Sequence, residues 1–196
     1  EVSVSKKAAL HFDLSQQVSA IRCDTTQIQQ VIMNLVVNAS DALNGESGEI
    51  TISTGELKLT EADFKDTYLG TTMPDGPYVF VQVRDTGSGM DEATCARIFD
   101  PFFTTKFAGR GLGLAAVIGI VRSHNGAISV DSAEGEGTTF TVHLPAVDAQ
   151  PKEKVAPITT VDDWRGSGML LVADDEETVR KVAKMMLENI GFEVMT

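Results

Sequence analysis

Between Asp24 and Gly45 the chain carries its longest periodic run, and that run constrains most of what the rest can be. Ile28, Val31, Ile32, Leu35, Val36, Ala39 and Leu43 recur at intervals of one helical face. Asp24 is suited to cap this helix, because its carboxylate can accept from the unpaired first amides. Gln27 at the third helical position makes the arrangement capping-box-like. Gly45 is the expected stop. The polar residues are placed unusually. Asn34, Asn38 and Asp41 share one stripe, which Gln27 and Gln30 continue. The stripe borders the apolar face instead of lying opposite it. One reading is a solvated helix edge. The other is a pocket wall, since an Asn carbonyl oxygen is a good ligand for a hard cation such as Mg²⁺.

An amphipathic helix of this kind needs a surface to cover, and the flanking sequence predicts strands. Ala9–Leu14 alternates Leu10, Phe12 and Leu14. Ile50–Leu57, Tyr78–Val83, Ala127–Val130 and Thr138–Leu144 also read as strands. Asp91–Phe99 reads as a short helix. Leu112–His124 reads as an apolar one, stopped by Asn125-Gly126. Phe102–Arg110 has no period, and Pro145 is the expected end of the domain. The order is not a regular strand–helix alternation. It predicts an α+β fold, a two-layer sandwich of one mixed sheet covered on one face by helices. Periodicity is lost from Ala146, and Pro151 and Pro157 follow, so residues 146–167 read as a linker between a domain at 1–145 and a shorter unit at 168–196.

Composition narrows the function classes. Lys plus Arg is 16 against 28 Asp plus Glu, a net charge of −12, which argues against nucleic-acid binding. No apolar run reaches the roughly 18 residues of a membrane span, and no secretory signal is evident, so a cytoplasmic location is expected. Cys23 and Cys95 form no CxxC and have no nearby Cys or His, which predicts free thiols and not a zinc site or a disulfide framework. Asn38-Ala39-Ser40 fits a glycosylation sequon but falls inside the long helix.

Three further segments carry chemistry. Asp85-Thr86-Gly87-Ser88-Gly89-Met90 follows a strand, and its glycines let backbone approach a ligand. Taken alone it is a turn. Gly109-Arg110-Gly111-Leu112-Gly113-Leu114 opens a helix, where free amides and the helix dipole favour phosphate. It is not a Walker loop, because no Gly-Lys-Ser/Thr occurs. It is not a dinucleotide fingerprint either. That motif follows directly on a buried strand, whereas here Asp100-Pro101-Phe102-Phe103-Thr104-Thr105-Lys106 comes first. Gly135-Glu136-Gly137-Thr138-Thr139-Phe140 is a turn into a strand.

In order and spacing together, these segments resemble bacterial sensor histidine kinases. Asn34–Ala39 resembles their N box, and Asp85–Gly89 their first glycine box. Phe99–Lys106 resembles their F box, Gly109–Leu114 their second glycine box, and Gly135–Phe140 the glycine-rich turn that follows. The resemblance spans about residues 8–145. It implies the Bergerat ATP-binding fold shared with gyrase, the MutL mismatch-repair protein and a heat-shock chaperone. It also implies a site for ATP and Mg²⁺. Asp85 would accept the adenine amine, with Gly87, Gly89 and Met90 close to the base. Asn38 would serve the metal, with Asn34 and Asp41 supporting it. Residues from Thr104 to Gly111, Thr105 among them, would form a mobile lid, with Phe102 beside it in the ATP site. Lys106 and Arg110 would face the phosphates. Gly109, Gly111, Leu112, Gly113 and Leu114 would cap the polyphosphate, and Thr138 would complete the site. Asn34, Lys106 and Arg110 are the implied catalytic residues for γ-phosphoryl transfer to a histidine.

Met169–Glu176 resembles the first strand and acidic pair of a receiver domain, with Asp174 and Asp175 as an incomplete metal site. Thr178–Asn189 would be its first helix, with Val179, Val182, Met186 and Ile190 among the core positions, and Gly191–Val194 would lead into its second strand. The layout is that of a hybrid kinase, homodimeric at full length. Its expected partners are a histidine-bearing dimerisation hairpin of the same kinase and a receiver or response-regulator domain. None of His11, His124 and His143 has the acidic follower that the acceptor motif requires, so the acceptor is expected outside this chain. Thr86 departs from the Asn common at its position. Three rivals remain: an ATP-hydrolysing machine, a non-enzymatic binding module and a protein-serine kinase of the same fold. Hydrolysing members carry Glu where this chain has Asn34, and an amide cannot act as a general base.

Overall fold

The computed structural model describes residues 7–64, 67–68, 73–106, 111–147, 166–173, 177–189 and 191–195. The chain divides into two compact units, Glu1–Gln150 and Pro151–Thr196. In the first, the described elements run β1 (Ala8–Leu14), β2 (Ala20–Ile21), α1 (Thr25–Ala42), β3 (Gly48–Leu59), a 3₁₀ turn (Glu61–Phe64), β4 (Gly76–Asp85), α2 (Glu92–Cys95), α3 (Gly113–Ser123), β5 (Ala127–Ala133) and β6 (Gly137–Val147). The sheet order is β1-β3-β4-β6, with β5 and β2 both on the far edge of β6. β1 and β3 run parallel and the other pairs antiparallel, so the sheet is mixed, as expected.

The α1 cap forms as the sequence predicts. Asp24 accepts from the Gln27 amide at 3.1 Å. The helix stops at Ala42, slightly before Gly45, because Asn44 already takes a left-handed conformation at φ 51°. Val31, Leu35, Val36, Ala39 and Leu43 pack with Val117 and Val121 of α3 onto Ile50, Val83, Ile128, Phe140, Val142 and Leu144 of the sheet. That is the core, on one face. His124 ties the two helices: its Nδ1 lies 2.8 Å from the Ile120 carbonyl, and its Nε2 accepts the Asp24 amide at 3.0 Å.

Three local expectations shift. Leu10, Phe12 and Leu14 form the predicted strand, but they are 41%, 64% and 53% exposed, because β1 is the outermost strand and the helices pack over its neighbours. The helix expected over Asp91–Phe99 shrinks to Glu92–Cys95. Beyond it Ile98 and Phe99 turn into the core, and Pro101 disfavours helical backbone at the residue before it. β6 runs through Pro145 to Val147. Pro145 falls between the end of β5 pairing at His143 and the start of β2 pairing at Ala146, where no neighbour on that edge needs its missing N–H. The two-residue β2 and the 3₁₀ turn have no periodic signal. The turn lays Phe64 against Tyr78 and His143 on the face away from the helices. Cys23 and Cys95 are both free thiols.

The second unit contains β7 (Met169–Leu171), α4 (Glu177–Asn189) and β8 (Glu193–Met195), with β7 and β8 parallel. This is the expected β–α–β order. Met186, expected in a core, is 62% exposed, because two short strands cover only part of one helix. Asp174, Asp175 and Ile190 lie outside the described residues, and so do the side chains of Val179 and Val182.

His143 generates a test. Its Nδ1 is buried without a hydrogen-bond partner among the described residues, and burial holds the imidazole below its ordinary value of 6.5. The unfolded chain therefore binds this proton at a higher pH than the folded one. The stability from a neutral His143 is complete above about 6.5 and falls as the pH drops below it. His143→Phe, which keeps a ring against Phe64, should flatten the fall in urea midpoint between pH 7 and 5. An unchanged slope would refute this assignment.

Candidate functional site

The site begins where β4 ends. Asp85 sits opposite Ile50 on one side and Thr138 on the other, and is 3% exposed. Its Oδ1 accepts the Gly87 amide at 2.8 Å. Burial raises its pKa. Backbone hydrogen bonds from Gly87 and Thr138, and the positive charge of Lys106, act the other way. A carboxylate is thus held in an apolar wall with part of its accepting capacity already satisfied.

The loop after Asp85 is tied down on three sides. Thr86 extends the pairing with β3: its amide donates to the Glu49 carbonyl at 3.1 Å, and its Oγ1 accepts the Glu49 amide at 3.0 Å. Its hydroxyl thus adds a side-chain bond to the strand pairing. The Ser88 amide donates to the Ala42 carbonyl at the end of α1, and the Gly135 amide donates to the Ser88 carbonyl at 2.7 Å. The Met90 amide donates to Ser132 Oγ at 3.0 Å. Glycine is required in this packing. Gly89 (φ 63°) lies against the Ala133 carbonyl and Gly137 (φ 86°) against the Asp85 carbonyl, so a Cβ at either would clash with backbone.

The α1 stripe lines the same cavity from the other end. Lys106 Nζ lies 2.8 Å from Asp41 Oδ2 and 3.5 Å from Asn38 Oδ1. Asn34 Nδ2 donates to the Gly113 carbonyl at 3.4 Å, joining α1 to the start of α3. Leu112, at the N-cap of α3, supplies no side-chain cap, so the first amides of that helix remain available to an anion. Before it, the Phe102 amide donates to the Gly111 carbonyl at 2.9 Å, folding Phe102–Lys106 back on the helix entry.

The cavity has a volume of about 620 Å³. Asn38, Asp41, Asp85, Gly89, Met90, Thr104, Thr105, Lys106, Gly111, Leu112, Gly113, Leu114 and Thr138 line it, all of them expected from the sequence. Asn34 and Gly87 stand behind the wall and act through backbone contacts, and Phe102 is 75% exposed. Gly109 and Arg110 lie outside the described residues. Sequence reasoning missed Ile98, Phe103 and Phe140, which supply apolar wall, and Ser132, which stands behind Thr138. Only register could have revealed Ser132, since it faces Thr138 across a strand pair. One end of the cavity therefore offers a buried carboxylate among apolar groups, fit for a flat, amine-bearing ring. The other offers a cation, free amides and amide and carboxylate oxygens. Among the described residues no cluster of three His, Cys, Asp or Glu could hold a metal alone. Asn38 and Asp41 fit a hard cation that brings other oxygen ligands with it.

The family described as "Histidine kinase-, DNA gyrase B-, and HSP90-like ATPase" matches residues 23–148. Sensor kinase CckA of Brucella abortus is 34% identical over 203 residues, covering 97% of this chain and 21% of that protein. Sensor histidine kinase ZraS of Salmonella typhi is 36% identical over 146 residues, covering 74% of this chain and 28% of that one. The chain spans less than a third of the length of these relatives. Among solved structures, the catalytic domain of histidine kinase ThkA matches with a TM-score of 0.55 at 30% identity, over 71% of this chain and 80% of that one. Full-length ShkA, solved with AMPPNP, matches with a TM-score of 0.58 over 96% of this chain and 35% of that one. At 24% identity this likeness concerns the fold alone.

The glycine packing can be tested separately. A Cβ at Gly135 (φ 79°) would meet nothing within 4 Å, whereas one at Gly137 would run into the Asp85 carbonyl. Gly135→Ala should cost only the left-handed backbone preference, about 1–2 kcal/mol. Gly137→Ala should cost more, read as a larger drop in melting temperature. Equal losses would show that the contact with Asp85 is not tight.

Proposed function

The chain belongs to the histidine kinase-, DNA gyrase B- and HSP90-like ATPase family, and from that premise we propose that residues 1–145 are the ATP-binding catalytic domain of a two-component sensor histidine kinase. The domain transfers the γ-phosphoryl group of ATP to a histidine on a separate dimerisation hairpin. Residues 146–167 link it to the first part of a receiver domain at 168–196, in a hybrid kinase that is dimeric at full length and acts on the cytoplasmic side. The observation that carries this reading is the two-ended cavity, with buried Asp85 at one end and Lys106, Asn38, Asp41 and the α3 amides at the other.

Asp85 reads the adenine amine. Asn38, assisted by Asp41, would supply oxygen to Mg²⁺, which when bound would neutralise phosphate charge. Lys106, with Arg110, places positive charge against the phosphates, and the amides at the start of α3 hold phosphate oxygens. Positioning and charge stabilisation carry most of the catalysis in phosphoryl transfer. Asn34 supports a kinase over a hydrolase, because it donates to the Gly113 carbonyl and has no basic group to activate water. The histidines of this chain support an external acceptor. His143 is largely buried on the sheet face away from the cavity, and both ring nitrogens of His124 have hydrogen-bond partners. His11 is on the outermost strand, and its register with Thr51 puts it on the face away from the helices. Among the described residues no helix is long and apolar enough to cross a membrane.

Two experiments test the proposal. In calorimetric titrations with Mg-ATP, Asn38→Ala should lose most of the Mg²⁺-dependent affinity, and Asp85→Ala should lose the preference for adenine over guanine. Each change removes a hydrogen bond or ligand to a charged group, worth about 1.5–3 kcal/mol or roughly 10- to 150-fold. Parent-like binding by both variants would refute the site. With γ-labelled ATP, acid-labile label should appear on a supplied histidine hairpin of the parent kinase and not on the chain alone. Label on the chain alone would overturn the external acceptor.

A further inference from the structure

The cross-strand row that contains Asp85 runs on past Thr138. Ile50 lies opposite Asp85, Asp85 opposite Thr138, and Thr138 opposite Ser132. All four side chains share the sheet face beneath the helices. Thr138 lines the large cavity. Ser132 does not; it borders a second cavity of about 500 Å³ beside Tyr68 and Cys95. Any influence of Ser132 on a ligand therefore passes through its neighbours.

Those neighbours fix its hydrogen. Ser132 Oγ lies 3.0 Å from the Met90 amide, 3.0 Å from the Gly137 carbonyl oxygen and 3.0 Å from Thr138 Oγ1. A serine hydroxyl has one hydrogen and two lone pairs. The Met90 N–H can only donate, so it occupies one lone pair. The Gly137 carbonyl can only accept, so it takes the hydrogen. The remaining lone pair then accepts the hydroxyl hydrogen of Thr138. Of the ways to orient the two hydroxyls, this one engages all three groups around Ser132. It commits the single hydrogen of Thr138 backward, away from the cavity, and leaves its lone pairs for whatever binds there.

We infer that Ser132 is a positioning residue that fixes the Thr138 hydroxyl as an acceptor, so that the base end of the cavity presents two acceptors side by side, Asp85 and Thr138. The inference rests on the proposed reading of this cavity as a nucleotide site. A 6-amino purine offers two donors from its exocyclic nitrogen to such a pair. A 6-oxo purine brings a carbonyl oxygen to the same place, where lone pairs oppose lone pairs and no hydrogen is available. Buried polar groups left unpaired in this way discriminate strongly between ligands. Part of the base selectivity is then set by a residue that does not touch the base.

The test is the ratio of ATP to GTP affinity, measured by titration in the presence of Mg²⁺. Ser132→Ala frees the Thr138 hydroxyl to rotate and donate. GTP should then gain on ATP, and the ratio should fall about 5- to 10-fold. Ser132→Thr keeps the hydroxyl in a strand position suited to it and should retain the parent ratio. Ser132→Cys, a weak donor and acceptor, should fall between and serves if the alanine variant does not fold. In a Thr138→Val background, Ser132→Ala should leave the ratio unchanged, because no hydroxyl remains to orient. Loss of ATP and GTP affinity by one common factor in Ser132→Ala would overturn the inference and leave Ser132 a structural tie. A parent chain that binds neither nucleotide would sink the nucleotide reading and this inference together. A parent that prefers ATP, with a ratio that survives Ser132→Ala, would sink the inference alone.

Discussion

Asp85 faces the cavity because β4 and β6 pair with Val83 opposite Phe140 and Val81 opposite Val142. A slip of one residue would turn each of these apolar side chains, and Asp85 with them, to the opposite face. The apolar residues therefore enforce the register, and the register places the carboxylate. The same pairing sets Thr138 beside Asp85 and, through β5, Ser132 beside Thr138. The site's polar row is a by-product of how the core packs, which makes it rigid without a dedicated scaffold.

α1 works by the same economy. Its apolar face belongs to the core, and its bordering stripe becomes cavity wall because α3 packs alongside, with Asn34 donating to Gly113. One helix thus seals the domain and supplies Asn38 and Asp41. Lys106 pairs with Asp41 and approaches Asn38, so the two oxygens proposed for a cation have a positive charge beside them. Both partners of this pair are partly exposed, and exposed pairs are worth little, so a better-placed cation can displace the lysine at small cost.

Legibility in the sequence followed the physics of each segment. α1 was readable from its cap, period and stripe together. The glycine boxes were readable because positive φ and close backbone approach leave few residue choices at Gly89, Gly111 and Gly137. Strand existence was readable at β1, β3, β4, β5 and β6, but burial was not. Leu10, Phe12 and Leu14 alternate like a half-buried strand, and only the sheet order reveals that β1 lies outermost. Pro145 looked like a terminator because a local rule cannot see that one edge of β6 is unpaired there. Ser132 gave no signal, since its role depends on a partner across a hairpin.

The outermost strand has a consequence for the chain in solution. β1 presents Leu10, Phe12 and Leu14 along a sheet margin, and among the described residues β3 is its one strand neighbour. An apolar margin of this kind invites another strand to add to it, which is how folded proteins begin to aggregate. His11 and Asp13 place polar groups on the other face of the same strand. The stronger safeguard is the net charge of −12, which keeps copies apart by mutual repulsion at long range. Salt shortens that range to about 10 Å at 0.1 M and about 3 Å at 1 M. Colloidal stability and ionic strength are therefore linked in this chain through one exposed strand.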